Sequence, residues 1–214
     1  MAYIEVEGVS KSYKSQKVIH NVNISFEQGK SYGIMGYNGS GKSVFLKLLT
    51  GYAFADEGEI RIQGKVLKKD MDFIPEAGIV INAPEFIKSM SGLDNLRFLA
   101  EVRKKIGEEQ IEEVLKKFGL YEARKKKVGA YSLGMKQRLR LAQALMESPQ
   151  ILILDEPFNA LDKEGIALVK DILREFVSSG HTLIFTSHSK EDVMDLADEV
   201  YEVEAGEIRR AEGV

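Results

Sequence analysis

The stretch SYGIMGYNGSGKSVFLKLLTG, residues 31–51, decides how the rest of the chain is read. It opens with a short apolar run of strand character, SYGIMG, and ends in SVFLKLLTG, whose apolar spacing is helical and whose Gly51 closes the helix. Between them GYNGSGKS, residues 36–43, fits the pattern G-x-x-x-x-G-K-[ST]. A chance match in a chain of this length is on the order of one per cent at average composition. A strand before the loop and a helix after it are the context that the mechanism demands. Gly36, Gly39 and Gly41 let the backbone curl so that successive N–H groups point inward at phosphate oxygens, and the helix N-terminus adds its positive end. Lys42 reaches the β- and γ-phosphates and the Ser43 hydroxyl is placed for Mg²⁺, so the loop is read as a nucleoside triphosphate site rather than an ordinary glycine-rich turn.

The whole chain sets the frame. Its 214 residues, 44% hydrophobic and 29% charged, bury a sizeable core and fit one domain. The net charge of −3 gives no reason to expect nucleic acid or an anionic membrane surface as partner. With no cysteine, disulfides, thiolate metal sites and cysteine nucleophiles are excluded. MAYIEVEG has neither a basic nor an apolar leader region, and the longest aliphatic stretches, such as ILIL at 151–154, fall far below the roughly 20 residues of a membrane span. The expectation is a soluble, cytosolic chain whose membrane business belongs to a partner.

Residues 1 to about 35 alternate as strands do, with Ile4, Val6, Ile24 and Phe26 on the apolar phase and FEQGK as a turn. GEIRIQGK at 58–65 reads as a hairpin strand and AGIVI at 77–81 as a buried one. From about 86 to 146 the period is helical, with stripes Leu93, Leu96, Leu99, Ala100, then Ile111, Val114, Leu115, Phe118, then Met135, Leu139, Ala142, Leu145, Met146, all read as core. Beyond 150 strands and helices alternate (ILIL, GIALVKDILREFV, TLIFTS, KEDVMDLAD, EVYEVE), the mark of a parallel sheet with helices on its faces.

A phosphate loop needs a carboxylate beside it to help hold Mg²⁺. Asp155 follows ILIL directly and so emerges at the carboxyl edge of the sheet; Glu156, next to it, is the candidate general base. His188 lies just past TLIFTS, at the same edge, within reach of a γ-phosphate. His20 and His181 have no such placement and are expected to be solvated loop residues, as is the run RKKK at 124–127. A second phosphate-reading element stands almost a hundred residues after the first: in YSLGMKQR, 131–138, Ser132-Leu133-Gly134 opens a helix whose N–H groups are left for an anion.

Together these residues resemble the ATP-binding subunit of ABC transporters over essentially the whole chain. GYNGSGKS is similar to that family's Walker A, ILILDEP to its Walker B, YSLGMKQR to its signature, NALD at 159–162 to its D-loop and His188 to its switch histidine. The resemblance implies an α/β P-loop NTPase: a RecA-like parallel sheet core, an N-terminal antiparallel β subdomain and a helical subdomain inserted at about 86–135, within a single domain spanning 1–214. It implies ATP and Mg²⁺ as ligands, held by Gly36, Asn38, Gly39, Ser40, Gly41, Lys42, Ser43 and Val44, with Tyr13 stacked on adenine and Ser43, Asp155 and Asn82 toward the metal. It further implies a head-to-tail pair of ATPase subunits, identical or paralogous, in which Ser132 and Gly134 of one chain complete the phosphate site of the other. The partner would be an integral-membrane permease in a separate chain, holding this one on the inner face of the membrane.

Several residues depart from the family pattern. Asn82 stands where the Q-loop has glutamine, Val44 where a hydroxyl meets an α-phosphate, Leu133 where the signature has glycine, Met135 often a glutamine and Phe158 a Thr or Ser. Loss of the hydroxyl at 44 removes one hydrogen bond, on the order of 1 kcal/mol. SLGMKQR with PFNALD is similar to subunits of exporters that remove peptide antibiotics or other amphiphiles, and Phe86, Ile87 and Met90 fall where the family meets its permease. The alternative is a soluble ABC-type ATPase serving assembly or regulation; a small-molecule P-loop kinase would leave YSLGMKQR and NALD without a task.

Overall fold

The computed structural model describes residues 2–14, 16–82 and 85–211. Strands β1 (Ala2–Tyr13) and β2 (Gln16–Glu27) form a long antiparallel hairpin, and β1 also pairs with β4 (Glu57–Ile62). β4 turns into β5 (Lys65–Val66) through Gln63 and Gly64, whose φ values of 49° and 79° are those of a primed two-residue turn. This gives an antiparallel sheet in the order β2-β1-β4-β5.

A second sheet contains β3 (Ser31–Met35), β6 (Ala77–Val80), β7 (Ile151–Leu154), β8 (Thr182–Ser187), β9 (Glu199–Glu204) and β10 (Glu207–Arg210). Its order is β10-β9-β3-β8-β7-β6, parallel throughout except for β10. Six helices accompany it among the described residues: α1 (Lys42–Thr50), α2 (Gly92–Arg103), α3 (Glu108–Lys117), α4 (Leu133–Leu145), α5 (Lys163–Ser178) and α6 (Lys190–Leu196).

The period of two along the central strands sends alternate residues into two cores. Ile151, Ile153 and Ile184 face one side, where α1 (Phe45, Leu46, Leu49) is enclosed between this sheet and the antiparallel one. Leu152, Leu154, Leu183 and Phe185 face the other side and meet the apolar stripes of the helices from α2 onward. Each such side chain, fully buried, contributes about 1.5–3 kcal/mol. All strands of the parallel set point the same way, so the loop after β3, Asp155 after β7 and His188 after β8 come to one edge.

The three helical stripes are core, with Leu99, Met135 and Leu145 only partly covered. Other readings need correction. The first helix of the middle segment starts at Gly92 rather than near 86, because Ser91 caps it and the buried Asn95 exchanges hydrogen bonds with the Ile87 backbone, which holds the preceding residues as a loop. Strand β6 is at the sheet edge and only partly buried, and β10 gives no period in the sequence. His20 lies within β2 and its backbone N–H donates to the Gly206 carbonyl at 2.9 Å. His181 is a loop residue but only partly solvated: its ring stacks on Phe176 at 4.8 Å and its Nδ1 is buried without a partner among the described residues. In RKKK the three lysines are exposed, but Arg124 is tied to Glu112 at 3.1 Å and lies 3.7 Å over the Tyr121 ring.

Candidate active site

The loop between β3 and α1 owes its shape to glycine at two places. A Cβ on Gly36 would stand 2.6 Å from both Ser40 Oγ and the Val203 carbonyl. Gly41, the N-cap of α1, has φ 114°, and a Cβ there would meet the Val18 carbonyl at 3.0 Å. No side chain caps this helix, so its first N–H groups stay available. Lys42 is buried and its Nζ folds back to donate to the carbonyls of Gly36 (2.6 Å) and Tyr37 (3.3 Å).

Opposite the loop stand the two acids. Ser43 Oγ donates to Asp155 Oδ2 at 2.6 Å, and Thr186 Oγ1 donates to Asp155 Oδ1 at 2.7 Å. Glu156 has its Oε2 2.9 Å from His188 Nδ1 and its Oε1 3.8 Å from Lys42 Nζ. Its backbone is in the left-handed region, φ 50°, a conformation that costs a non-glycine residue about 1–3 kcal/mol unless its surroundings hold it. They do: the Glu156 N–H donates to Thr186 Oγ1 at 2.9 Å, and its carbonyl accepts from Gln137 Nε2 at 3.3 Å. Gln137, buried on α4, also donates to the Pro157 carbonyl at 3.0 Å.

The residues fit a nucleotide with its metal. Val18, Gly39, Lys42, Ser43, Asp155 and Glu156 line one crevice with the glycine-loop backbone on one wall. A hydroxyl and a carboxylate in contact are hard oxygen donors of the kind Mg²⁺ takes, completing its sphere from phosphate and water. Among the described residues no group of three or more His, Cys, Asp or Glu gathers for a metal.

The sequence profile of the ABC transporter family matches residues 19–159. The chain belongs to that family. It is an ABC transporter ATP-binding protein and an ATPase. It is 40% identical over 211 residues to an uncharacterized ABC transporter ATP-binding protein, YybJ, of Bacillus subtilis (strain 168), covering 99% of this chain and 97% of that protein. It is 36% identical over 206 residues to the lantibiotic transport ATP-binding protein SrtF of Streptococcus pyogenes, covering 96% and 88%. With the bacitracin transport ATP-binding protein BcrA of Enterococcus faecalis it shares 35% over 197 residues, 91% of this chain and 64% of that protein. Among solved structures, the dimeric bacterial ABC transporter cassette MJ0796 superposes with a TM-score of 0.86 over 99% of this chain and 100% of that one, at 24% identity, a likeness of fold.

Within this ABC ATPase the loop 36–44, Asp155, Glu156 and His188 stand together. Asn82, exposed with φ 57°, lies two residues past Val80, whose carbonyl accepts the Asp155 N–H at 2.7 Å; the Ala83 and Pro84 that follow lie outside the described residues. Tyr13, 48% exposed, sits at the end of the hairpin that also carries Val18 to the crevice. Ser132 and Gly134 are not part of this crevice: Ser132 is exposed at the N-terminus of α4 and Leu133 is 71% exposed. A Cβ on Gly134 would lie 3.0 Å from the Ala160 carbonyl, so this residue packs on the 159–162 loop. Phe86 packs against the helical core, and Ile87 is exposed. Among the described residues no helix is long and apolar enough to cross a membrane. The sequence reading missed Thr186 and Gln137. The signal for Thr186 was available in its position two residues before His188, directly after the apolar run at 183–185; Gln137 carried none.

Proposed function

We propose that this chain drives a membrane permease carried on a separate chain, and that two ATPase subunits, identical or paralogous, pair head to tail so that each completes the other's site. The observation that supports this best is Ser132. It caps α4, accepting the Met135 N–H at 3.1 Å, while remaining exposed and outside the crevice of its own phosphate loop. An anion reader facing solvent finds its phosphate on another molecule.

In the closed pair the loop N–H groups from Gly36 to Ser43, with Asn38, Ser40 and Val44, cradle the phosphates, and Lys42 exchanges the Gly36 and Tyr37 carbonyls for phosphate oxygen. Tyr13 stacks on adenine. Glu156 takes the proton of the water that attacks the γ-phosphorus, as the bond to the ADP oxygen breaks; His188, 2.9 Å from that carboxylate, orients it and contacts the γ-phosphate. Ser43, Asp155 and Asn82 would hold Mg²⁺, which when bound would supply positive charge against the triphosphate. Ser132 and Gly134 of the facing chain bind the γ-phosphate, so its release opens the pair.

Residues 1–214 act as one ABC ATPase domain, with about 86–135 as its helical subdomain, peripheral on the inner face of the membrane through the permease. Two of the relatives are a bacitracin transport and a lantibiotic transport ATP-binding protein, which favours export of peptide antibiotics or similar amphiphiles. Light scattering on the Glu156→Gln chain tests the pairing. With ATP and Mg²⁺ its mass should double from 24.0 kDa, and a mass that stays at one chain while nucleotide is bound contradicts it.

A further inference from the structure

We infer that Thr186 is the positioning residue of the carboxylate pair, one hydroxyl that sets both the Asp155 carboxylate and the Glu156 backbone. The inference rests on the reading above that these two acids serve the nucleotide, and it goes beyond it in naming what holds them.

The register of the two central strands creates the contact. Leu152, Ile153 and Leu154 pair with Leu183, Ile184 and Phe185, so the next residues stand side by side, Asp155 just past the end of β7 and Thr186 still within β8, paired on its other side with Ile34 of β3. Thr186 is fully buried. A hydroxyl has one proton to give and lone pairs to accept with. The Glu156 N–H can only donate, so at 2.9 Å it fixes Thr186 Oγ1 as acceptor there. The single hydroxyl proton then goes to Asp155 Oδ1 at 2.7 Å. The second carboxylate oxygen faces Ser43, so the plane of the Asp155 carboxylate is pinned from both sides.

The other half of the effect falls on Glu156. Its positive φ of 50° persists only while its peptide groups are held. Thr186 holds the N–H side, and the carbonyl side is held by Gln137 and by the Asn159 N–H at 3.3 Å. His188, two residues beyond Thr186, meets the far end of the same side chain at 2.9 Å. One strand end thus determines where the base carboxylate stands, at its root through Thr186 and at its tip through His188. Removing the hydroxyl leaves a partly buried carboxylate oxygen and a partly buried N–H without this partner, and both relax by moving the acids that the reaction uses.

A purely structural threonine would be one whose β-branched shape fills the strand. Thr186→Val keeps that shape and removes the hydroxyl; Thr186→Ser keeps the hydroxyl and removes the methyl. Steady-state ATP hydrolysis, equilibrium binding of a fluorescent ATP analogue as Mg²⁺ is titrated, and melting temperature are measured on the full chain for each. For Thr186→Val, kcat should fall about 10- to 100-fold, as for other outer partners of a metal site, with KM near the parent value. The Mg²⁺ needed for tight analogue binding should rise, and Thr186→Ser should restore both. Should Thr186→Val not fold, Thr186→Ser against Thr186→Ala gives the same contrast. A parental kcat in Thr186→Val, or a Thr186→Ser chain as impaired as Thr186→Val, overturns the inference. Glu156→Gln in parallel separates the two levels: if it hydrolyses at the parent rate, the underlying assignment of the base fails. If it is inactive while Thr186→Val is intact, only the role of Thr186 fails.

Discussion

The N-termini of α1 and α4 make an instructive pair. Both open a helix with donor groups and a positive end available to an anion. Around α1 the chain supplies everything else: buried Lys42, the Ser43 hydroxyl on Asp155, and Glu156 beside His188. At α4 it supplies a serine cap and a glycine packed on Ala160, beside a leucine that is 71% exposed. The first terminus is therefore a site in want of a ligand, and the second is a ligand-reading surface in want of a site. Under the proposed pairing the two belong to one catalytic centre contributed by two molecules.

That contrast can be broken or sharpened by substitution. The largest effect belongs to the first terminus. Glu156→Gln should lower kcat by about 10²- to 10⁴-fold, the worth of a positioned general base, while ATP still binds; a parental rate in a coupled-enzyme assay removes Glu156 as the base. Lys42→Ala should weaken ATP binding by about 1.5–3 kcal/mol, the worth of hydrogen bonds to a charged group, as read by calorimetry. Tyr13→Ala should cost about 1–3 kcal/mol of nucleotide affinity if the ring stacks on adenine as aromatic rings do on bases. The smallest change is at α4: Ser132→Ala should cost about 1 kcal/mol of stability through the lost cap. It should leave ATP affinity of the single chain untouched, since α4 does not face its own crevice. An affinity loss there would dissolve the distinction between the termini.

Legibility followed the same division. The strand–loop–helix at 31–51 and the acids after ILIL could be read because each is a local pattern, and the parallel sheet brings them together without further information. Glu156 could be named from its place beside Asp155, but its left-handed backbone could not, since an Asp-Glu-Pro sequence carries no glycine to announce a positive φ. The partners that hold it come from elsewhere: Thr186 through strand register and Gln137 through the packing of α4 on the loop after β7. Contacts set by tertiary placement leave only residue types in the sequence, and a threonine in a strand or a glutamine in a helix is unremarkable there. His181 shows the same limit from the other side, a polar ring stacked under Phe176 where a loop position suggested solvent.

The shared site has one most direct test, a mixing experiment. Ser132→Asp keeps a good helix cap and places negative charge where a facing phosphate would lie. Lys42→Ala disables the phosphate loop. Each chain alone should hydrolyse ATP poorly, whereas a mixture contains pairs with one intact centre, the phosphate loop from the first variant and the signature from the second. Recovery of hydrolysis on mixing, absent from either variant alone, is the result this account predicts. Full hydrolysis by Ser132→Asp on its own, or no recovery in the mixture, would contradict it.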